Sequence, residues 1–475
     1  MSQKSRVPFW IVRLKNFLLV MFRSRLALTG LLLLILFIVA AAAAPILTSN
    51  YPTEKVGGNL SPPSWVSYMF GPSQYSQNAQ FSRLTASTNT TTSPAPKVNS
   101  TLAGPDAINV DISSSAGGTV IIAKTLDYPY SAAPAEIYGS TLSIVPVNIT
   151  SSQPAPVALY FERTLQVGLR QWGPLWNDTL RTATPLQTTI RSTDSGLAAR
   201  LGYQRGTDIG AVVFSGKGTY RYFLMISLPP GQFSARLQIR TFLMILYGNT
   251  YGLMGTDFTG ADIFSQFVYG ARLSLLVGLV ATAIGIGVGL VIGLMAGFLG
   301  KMVDEVLMRF TDMMLVIPSL PLLIVLASVL GSSLWNIILI LGFLGWMGFA
   351  RLVRSQVLTL RERPFIEAAK ASGGGTSYIL ARHIFPNIVG LTYVNLALSV
   401  PAAIVGEAAL SFLGLGDQTA ITWGKMLESA RESFTGLAWW WIIPPGLGIA
   451  ILSLSFILIG YSLDELFNPR LRRRR

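Results

Sequence analysis

The chain has 475 residues, of which 51% are hydrophobic and 12% charged, and it carries 36 Lys and Arg against 22 Asp and Glu for a net charge of +14. Soluble domains carry about 25% charged residues, so a single water-soluble fold of this size would lack polar covering, and lipid is expected to serve as part of its solvent. The absence of cysteine excludes disulfides, thiolate metal sites and Cys nucleophiles, and the single histidine, His383, all but excludes His-rich zinc sites and Ser-His-Asp catalysis.

In chain order, residues 1–25 contain Lys4, Arg6, Arg13, Lys15, Arg23 and Arg25 and no acid, and 26–47 form an uncharged apolar run. A membrane span needs about 20 such residues. Ala40 to Ala44 before Pro45 look like a cleavage site, but the run is longer than the 7–15 residues of a signal h-region. The reading is therefore a cytoplasmic N-terminal segment, 1–25, and a retained first transmembrane helix, 26–47.

Residues 48–250 are polar and rich in Ser, Thr, Gly and Pro. The runs 118–122, 157–161, 211–214 and 222–226 are predicted strands between turn signals, which makes this segment a β-rich globular domain. The Ser/Thr-rich stretch 85–96 reads as a linker. Five N-x-Ser/Thr triplets begin at Asn59, Asn89, Asn99, Asn148 and Asn177, and all lie in this segment. Such triplets are glycosylated only on the outer side of a membrane, so the segment is expected to be extracytoplasmic, following as it does the first span.

Residues 251–271 are expected to be an amphipathic segment before the second span. Further apolar blocks cover 272–299, 311–330, 336–352, 387–412 and 440–462, making six predicted transmembrane helices in all, with a five-helix core over 272–467 and a basic cytoplasmic tail over 468–475. Nineteen of the 36 Lys and Arg residues then fall at one face, among them Lys301, Arg309, Arg351, Arg354, Arg361, Arg363, Lys370, Arg382 and the terminal arginines. By the positive-inside rule both termini are expected in the cytoplasm. The terminal Arg472 to Arg475 run is expected to lie near anionic lipid rather than nucleic acid.

Gly285, Gly289, Gly293 and Gly297 recur every four residues and would let another helix approach closely. Neither a dinucleotide fingerprint nor a phosphate loop is satisfied around Gly285 or Gly300-Lys301-Met302, so no ATP site is expected on this chain. Pro401, and Pro318 with Pro321, would let helices bend. Trp439-Trp440-Trp441 is expected at the membrane interface. Glu407 lies in an apolar span, where a charge must face protein or water; with Pro401 it is a candidate pathway or gate residue, and a polar clamp between helices is the alternative.

The most informative stretch is Glu367-Ala368-Ala369-Lys370-Ala371-Ser372-Gly373, followed after nine residues by His383-Ile384-Phe385-Pro386. It predicts a helical hairpin on the membrane surface, with a glycine hinge and a proline opening the next span. This stretch resembles the EAA coupling loop of permease subunits in ATP-binding cassette importers. The segments 255–262, 269–272 and 407–416, with Trp423-Gly424 and Asn468-Pro469-Arg470-Leu471-Arg472, are similar to the dipeptide and oligopeptide permease group, in particular its second membrane subunit. The chain departs from that group at Ala261, where Arg is usual, at Phe385, where Leu is usual, at Gly374-Gly375, and in the size of its outer insertion.

The resemblance implies an all-α membrane permease of six transmembrane helices, in the importer permease fold, carrying an inserted β-rich domain. It implies a non-catalytic subunit in a plasma-membrane complex for importing di- or oligopeptides, with oligosaccharides or nickel as alternative cargo. The implied partners are a second homologous permease subunit, two ATP-binding cassette ATPase subunits holding ATP and Mg, and an extracytoplasmic solute-binding protein. Residues 367–386 would form the ATPase-coupling loop, through Glu367, Ala368, Ala369, Gly373, His383 and Pro386, with His383 as a structural contact. A secondary transporter or channel is the alternative from another class, disfavoured by the lack of an evident inverted repeat. The insertion could be a docking platform or a fused receptor.

Overall fold

The computed structural model describes residues 24–82, 84–89, 94–151, 153–165, 168–182, 184–433 and 438–467. The basic residues before Ser24 and the motif from Asn468 to Arg475 lie outside the described residues. The chain divides into two compact units, Thr53–Asp262 and the remainder, Met1–Pro52 with Ile263–Arg475.

The second of these units is helical. Its elements are α1 (Arg25–Ala42), α2 (Ile263–Leu299), α3 (Lys301–Val316), α4 (Ser319–Leu330), α5 (Leu334–Leu344), α6 (Met347–Arg361), α7 (Pro364–Ala371), α8 (Thr376–Ile379), α9 (Phe385–Leu410), α10 (Trp423–Glu432) and α11 (Trp439–Phe467). Among the described residues five continuous helical stretches are long and apolar enough to cross a membrane: Arg25–Ala42, Ile263–Leu299, Leu334–Arg361, Thr376–Leu415 and Trp439–Glu465. A sixth crossing exists only if α3 and α4, bent by 90° across their junction, count as one. The expected span over 311–330 is thus broken at Pro318, one of the two prolines expected to let it bend, which stands at the N-cap of α4 with Ile317 extended before it. Pro401, by contrast, is accommodated inside the unbroken α9.

Helix α2 starts nine residues before the expected boundary at 272, so 263–271 is not a separate amphipathic segment. Its 37 residues would span about 55 Å, well over the ~30 Å of a hydrocarbon core. The four spaced glycines carry its packing. A Cβ on Gly289 would meet the Trp346 carbonyl at 2.6 Å, and one on Gly293 or Gly297 would come within 2.6 Å of Ala350 O or Val357 Cβ. Gly285 faces the backbone of Gly342 and Gly345. The α2 backbone therefore lies directly against α5 and α6, as the spacing predicts. Of the three tryptophans opening α11, Trp439 is exposed but Trp440 and Trp441 are 9% and 1% exposed, so two of the three pack inside the protein rather than at its surface.

Thr53–Asp262 is a β-sandwich of antiparallel strands. One sheet has the order β3 (Lys97–Gly104), β4 (Ala107–Ser114), β11 (Phe233–Tyr247), β6 (Glu136–Ser151), β9 (Leu186–Ile190), with β1 (Ala79–Gln80) also on β11; the other runs β2 (Thr85–Asn89), β5 (Gly118–Tyr128), β10 (Gly218–Leu228), β7 (Ala155–Thr164), β8 (Leu169–Leu180). Strict alternation sets the layers: in β4, Ile108, Val110 and Ile112 face the core while Asn109, Asp111 and Ser113 face out. The core between the sheets includes Ile122, Leu142, Leu159, Phe161, Tyr222, Leu237 and Phe242, with Tyr222 stacked on Phe242 at 4.8 Å.

Three local expectations change here. Residues 211–214 are not a strand: Asp208 accepts from the Gly210 N–H at 2.8 Å and starts a helix over Ile209–Val213. The first part of the expected linker is strand β2, paired with β5. Residues 251–262 belong to the sandwich unit, held by the bridges Lys55↔Ala261 and Thr256↔Asp262 and by the Ser61 N–H donating to Thr256 Oγ1 at 2.9 Å. Ala261 is buried in that bridge, 1% exposed.

Candidate functional site

Pro364, with its fixed φ and missing N–H, opens α7 at a position where that N–H has no helical partner. Glu367 sits in the first turn, where the helix dipole favours an acid, and its side chain is exposed. Ala368 is exposed and Ala369 half-buried. The helix ends in Gly373 at φ 81, a left-handed conformation that glycine adopts without penalty. Its N–H donates to the Lys370 carbonyl at 3.0 Å, and the Gly374 N–H to the Ala369 carbonyl at 3.0 Å. A Cβ on Gly374 would meet that carbonyl at 2.8 Å, so the two glycines close a tight cap.

The return leg is α8 and a π-helical turn over Leu380–Ile384, where the Phe385 N–H reaches back to Leu380 O. Pro386 follows immediately. It cannot donate to the preceding turn, and the Asn387 amide nitrogen donates to the His383 carbonyl at 2.6 Å. Pro386 stands in the first turn of α9 (Phe385–Leu410), as the sequence predicts, and α9 follows α8 and the widened turn without a break in one helical stretch from Thr376 to Leu415. The His383 ring lies 5.6 Å from Tyr378, edge-on, and 6.4 Å from Phe365, so it bridges the two legs of the hairpin.

The hairpin's inner side is apolar and buried. Ile366, Ile379 and Ile384 are at most 1% exposed and pack in one cluster with Ile286 of α2, Phe349, Val353 and Val357 of α6, and Ile388 of α9. The outer side presents Phe365 (44% exposed), Tyr378 (57% exposed), Glu367 and Ala368. Lys370 stands 5.6 Å over the Phe298 ring and Arg361 Nη1 donates to Gly297 O at 3.3 Å. Sequence reasoning missed the next layer: Arg354 makes a bidentate pair with Asp304, at 2.5 and 2.6 Å, and Arg351 pairs with Asp312. The signal available was the row of bases on 351–361 and of acids on 304–312, each at helical spacing.

A second polar cluster lies at the other end of α9. Glu407 is 1% exposed. Its Oε1 accepts from Ser411 Oγ at 2.7 Å and from Thr422 Oγ1 at 2.7 Å. Thr422 also caps α10 by accepting from the Lys425 N–H at 3.1 Å. Glu407 thus ties the end of α9 to the start of α10, which is the geometry of a clamp, while Pro401 is buried and forms no group with it. Asp417, which the sequence did not single out, accepts from the N–H of Leu334 at 2.9 Å and from the Thr419 hydroxyl and N–H at 2.7 and 2.9 Å. Partial burial would raise its carboxyl, but these hydrogen bonds outweigh it and hold the group below the usual aspartate range. Trp423 stacks on Phe267 at 5.4 Å and donates to its carbonyl at 2.9 Å.

Packed apolar helices long enough to cross a membrane, with a buried-rooted, surface-facing hairpin between two of them, define a multi-pass membrane domain. The family model for the binding-protein-dependent transport system inner membrane component matches residues 289–473, and that for the N-terminal transmembrane domain of oligopeptide transport permease C matches 13–63. The chain is 42% identical to the dipeptide transport system permease protein DppC of Alkalihalophilus pseudofirmus over 46% of its own length and 72% of that protein's. It is 37% identical to the oligopeptide transport system permease protein OppC of Bacillus subtilis, over 46% and 72%, and 36% identical to the di/tripeptide transport system permease protein DppC of Pseudomonas aeruginosa, over 47% and 74%. The chain belongs to the dipeptide and oligopeptide permease group of these inner membrane components. Among solved structures, a family 11 carbohydrate-binding module from Clostridium thermocellum matches 38% of this chain and 98% of its own at 13% identity and a TM-score of 0.21, a likeness too slight to bear on function.

Proposed function

We propose that this chain forms half of the translocation pathway of an ATP-driven importer of di- or oligopeptides, in the plasma membrane, with both termini cytoplasmic and Thr53–Asp262 outside. The other half is a second permease of the same type. Of two ATPase subunits, which hold the ATP and Mg, one docks on the exposed side of this hairpin at Glu367, Ala368, Phe365 and Tyr378 and the other on the second permease. A solute-binding protein delivers cargo from outside, and the β-sandwich serves as its docking platform. The peptide cargo is inferred from what the relatives are named for.

One observation carries the coupling role. The hairpin is closed by its Gly373–Gly374 cap and rooted through Ile366, Ile379 and Ile384 on α2, α6 and α9. A push on its outer side is therefore delivered to three apolar helices at once, because close-packed interiors transmit displacement. Purification of the intact complex tests this: ATPase subunits should copurify and hydrolyse ATP faster when the loaded binding protein is added. A complex without ATPase subunits, and uptake that survives ATP depletion, would remove the proposal.

A further inference from the structure

All five N-x-Ser/Thr triplets lie within Thr53–Asp262 and none occurs elsewhere in the chain. Sheet topology gives them a pattern that the sequence does not show. The border strands are β3 and β9 in one sheet and β2 and β8 in the other. Asn89 closes β2, Asn99 lies in β3 and Asn177 in β8, so three of these four border strands carry a triplet. Asn148, in β6, joins Asn99 in a single cross-strand row: Asn99 opposite Asp111, Asp111 opposite Arg236, Arg236 opposite Asn148. Both asparagines line a shallow cavity on the sheet's outer face, on either side of the Arg236–Asp111 ion pair at 2.7 Å.

The triplets differ in what they offer a modifying enzyme, which needs the Asn amide and the hydroxyl two residues on at the same surface. Asn99 with Thr101 and Asn148 with Thr150 are exposed pairs, and Asn177 is exposed beside a half-buried Thr179. Asn59 is different. Its Oδ1 accepts from Lys55 Nζ at 2.8 Å, and the hydroxyl of Ser61 is turned inward, 2% exposed and donating to Gly248 O at 3.2 Å.

We infer that Asn99, Asn148 and Asn177 carry N-linked glycans and that Asn59 does not. In the transfer, the amide nitrogen bonds to C1 of a sugar on a lipid-linked oligosaccharide phosphate. The C1–O bond breaks, the phosphate leaves with its electron pair, and the amide proton passes to a base of the transferase. The glycans on Asn99 and Asn177 stand over border strands, and sheet edges otherwise template pairing with another copy.

The inference rests on the external placement proposed above, and two measurements separate them. A membrane-impermeant amine reagent applied to sealed cells should label the exposed Lys97 and Lys217. Glycopeptide mass spectrometry on the full chain, purified from the membranes of its own organism, should find glycan mass on the peptides of Asn99, Asn148 and Asn177 and an unmodified Asn59. Labelled lysines with bare Asn99, Asn148 and Asn177, or with Asn59 occupied to the same extent, would overturn the glycan inference alone. Unlabelled lysines in intact cells that become labelled on lysis would overturn the placement and the glycans with it.

Discussion

Glu407 shows how a single side chain holds two elements together. Its carboxyl is shared by the Ser411 and Thr422 hydroxyls, and removal of a buried partner leaves hydroxyls unsatisfied at about 1–3 kcal/mol each. Glu407→Ala should therefore lower the thermal midpoint of the purified permease and loosen α10, while Glu407→Gln, which keeps an acceptor oxygen, should retain most of the stability. Equal losses in both variants would mean that charge, not the hydrogen bonds, is what the site requires. Asp417 gives a pH signature. Its carboxyl is held below the ordinary aspartate value, so its contribution is complete above about pH 4 and is lost as pH falls through the lowered value. Melting temperatures of wild type and Asp417→Asn should differ by a constant amount at neutral pH and converge only in acid. A gap that closes between pH 6 and 8 would contradict the assignment.

At the scale of elements, the glycine face of α2 and the hairpin make separate predictions. Gly293→Leu places a branched side chain where even a Cβ lies 2.6 Å from the Ala350 carbonyl. Overpacking costs about 1–3 kcal/mol and often more, so this variant should fail to accumulate in the membrane, whereas a leucine at Gly287, with nothing within 4 Å of its Cβ, should be tolerated. Gly373→Val should behave differently. No atom lies within 4 Å of its Cβ, yet φ is 81°, a conformation costing a Cβ-bearing residue about 1–2 kcal/mol. Assembly should survive, and ATP hydrolysis stimulated by the solute-binding protein should be lost; normal stimulation would remove Gly373 from the coupling path.

Much of this was legible in the chain. The four-residue glycine period gave the tight face of α2, and apolar length gave the helical stretches. Three features were not legible. Pro318 breaks a span because Ile317 before it turns extended, while Pro401 leaves α9 intact, and only tertiary packing distinguishes the two. Residues 211–214 read as a strand because the β-branched run outweighs the Asp208 cap in local propensity. Asp417 joins Leu334, 83 residues away, which no spacing rule reaches, and the bases on 351–361 and acids on 304–312 show two charged helix faces without showing that they pair.

For the whole molecule, the structure joins a membrane-embedded bundle to a β-sandwich with its own core. Among the described residues the bundle's buried acids are Glu407, which accepts from two hydroxyls, and Glu428, which pairs with Lys425, and the hairpin between α6 and α9 is the surface proposed to meet the ATPase. The sandwich spreads polar side chains over its outer sheet face, including Asn99, Asp111, Arg236 and Asn148, a solvated surface rather than an apolar groove. This division of labour explains why average composition pointed to lipid without showing the outer domain: the apolar excess belongs to one unit and much of the Ser, Thr and Asn content to the other.

Force is proposed to enter this permease through the coupling loop, residues 367–386. This proposal is tested most directly by a cysteine crosslink between an exposed hairpin position and the copurified ATPase, made possible by the absence of native cysteine. With Ala368→Cys and single cysteines introduced around the ATPase groove, crosslinking in membranes is expected, modulated by ATP, with loss of ATP-driven solute uptake on crosslinking and recovery on reduction. Efficient uptake in a complex whose hairpin never crosslinks to the ATPase from any exposed position would contradict it.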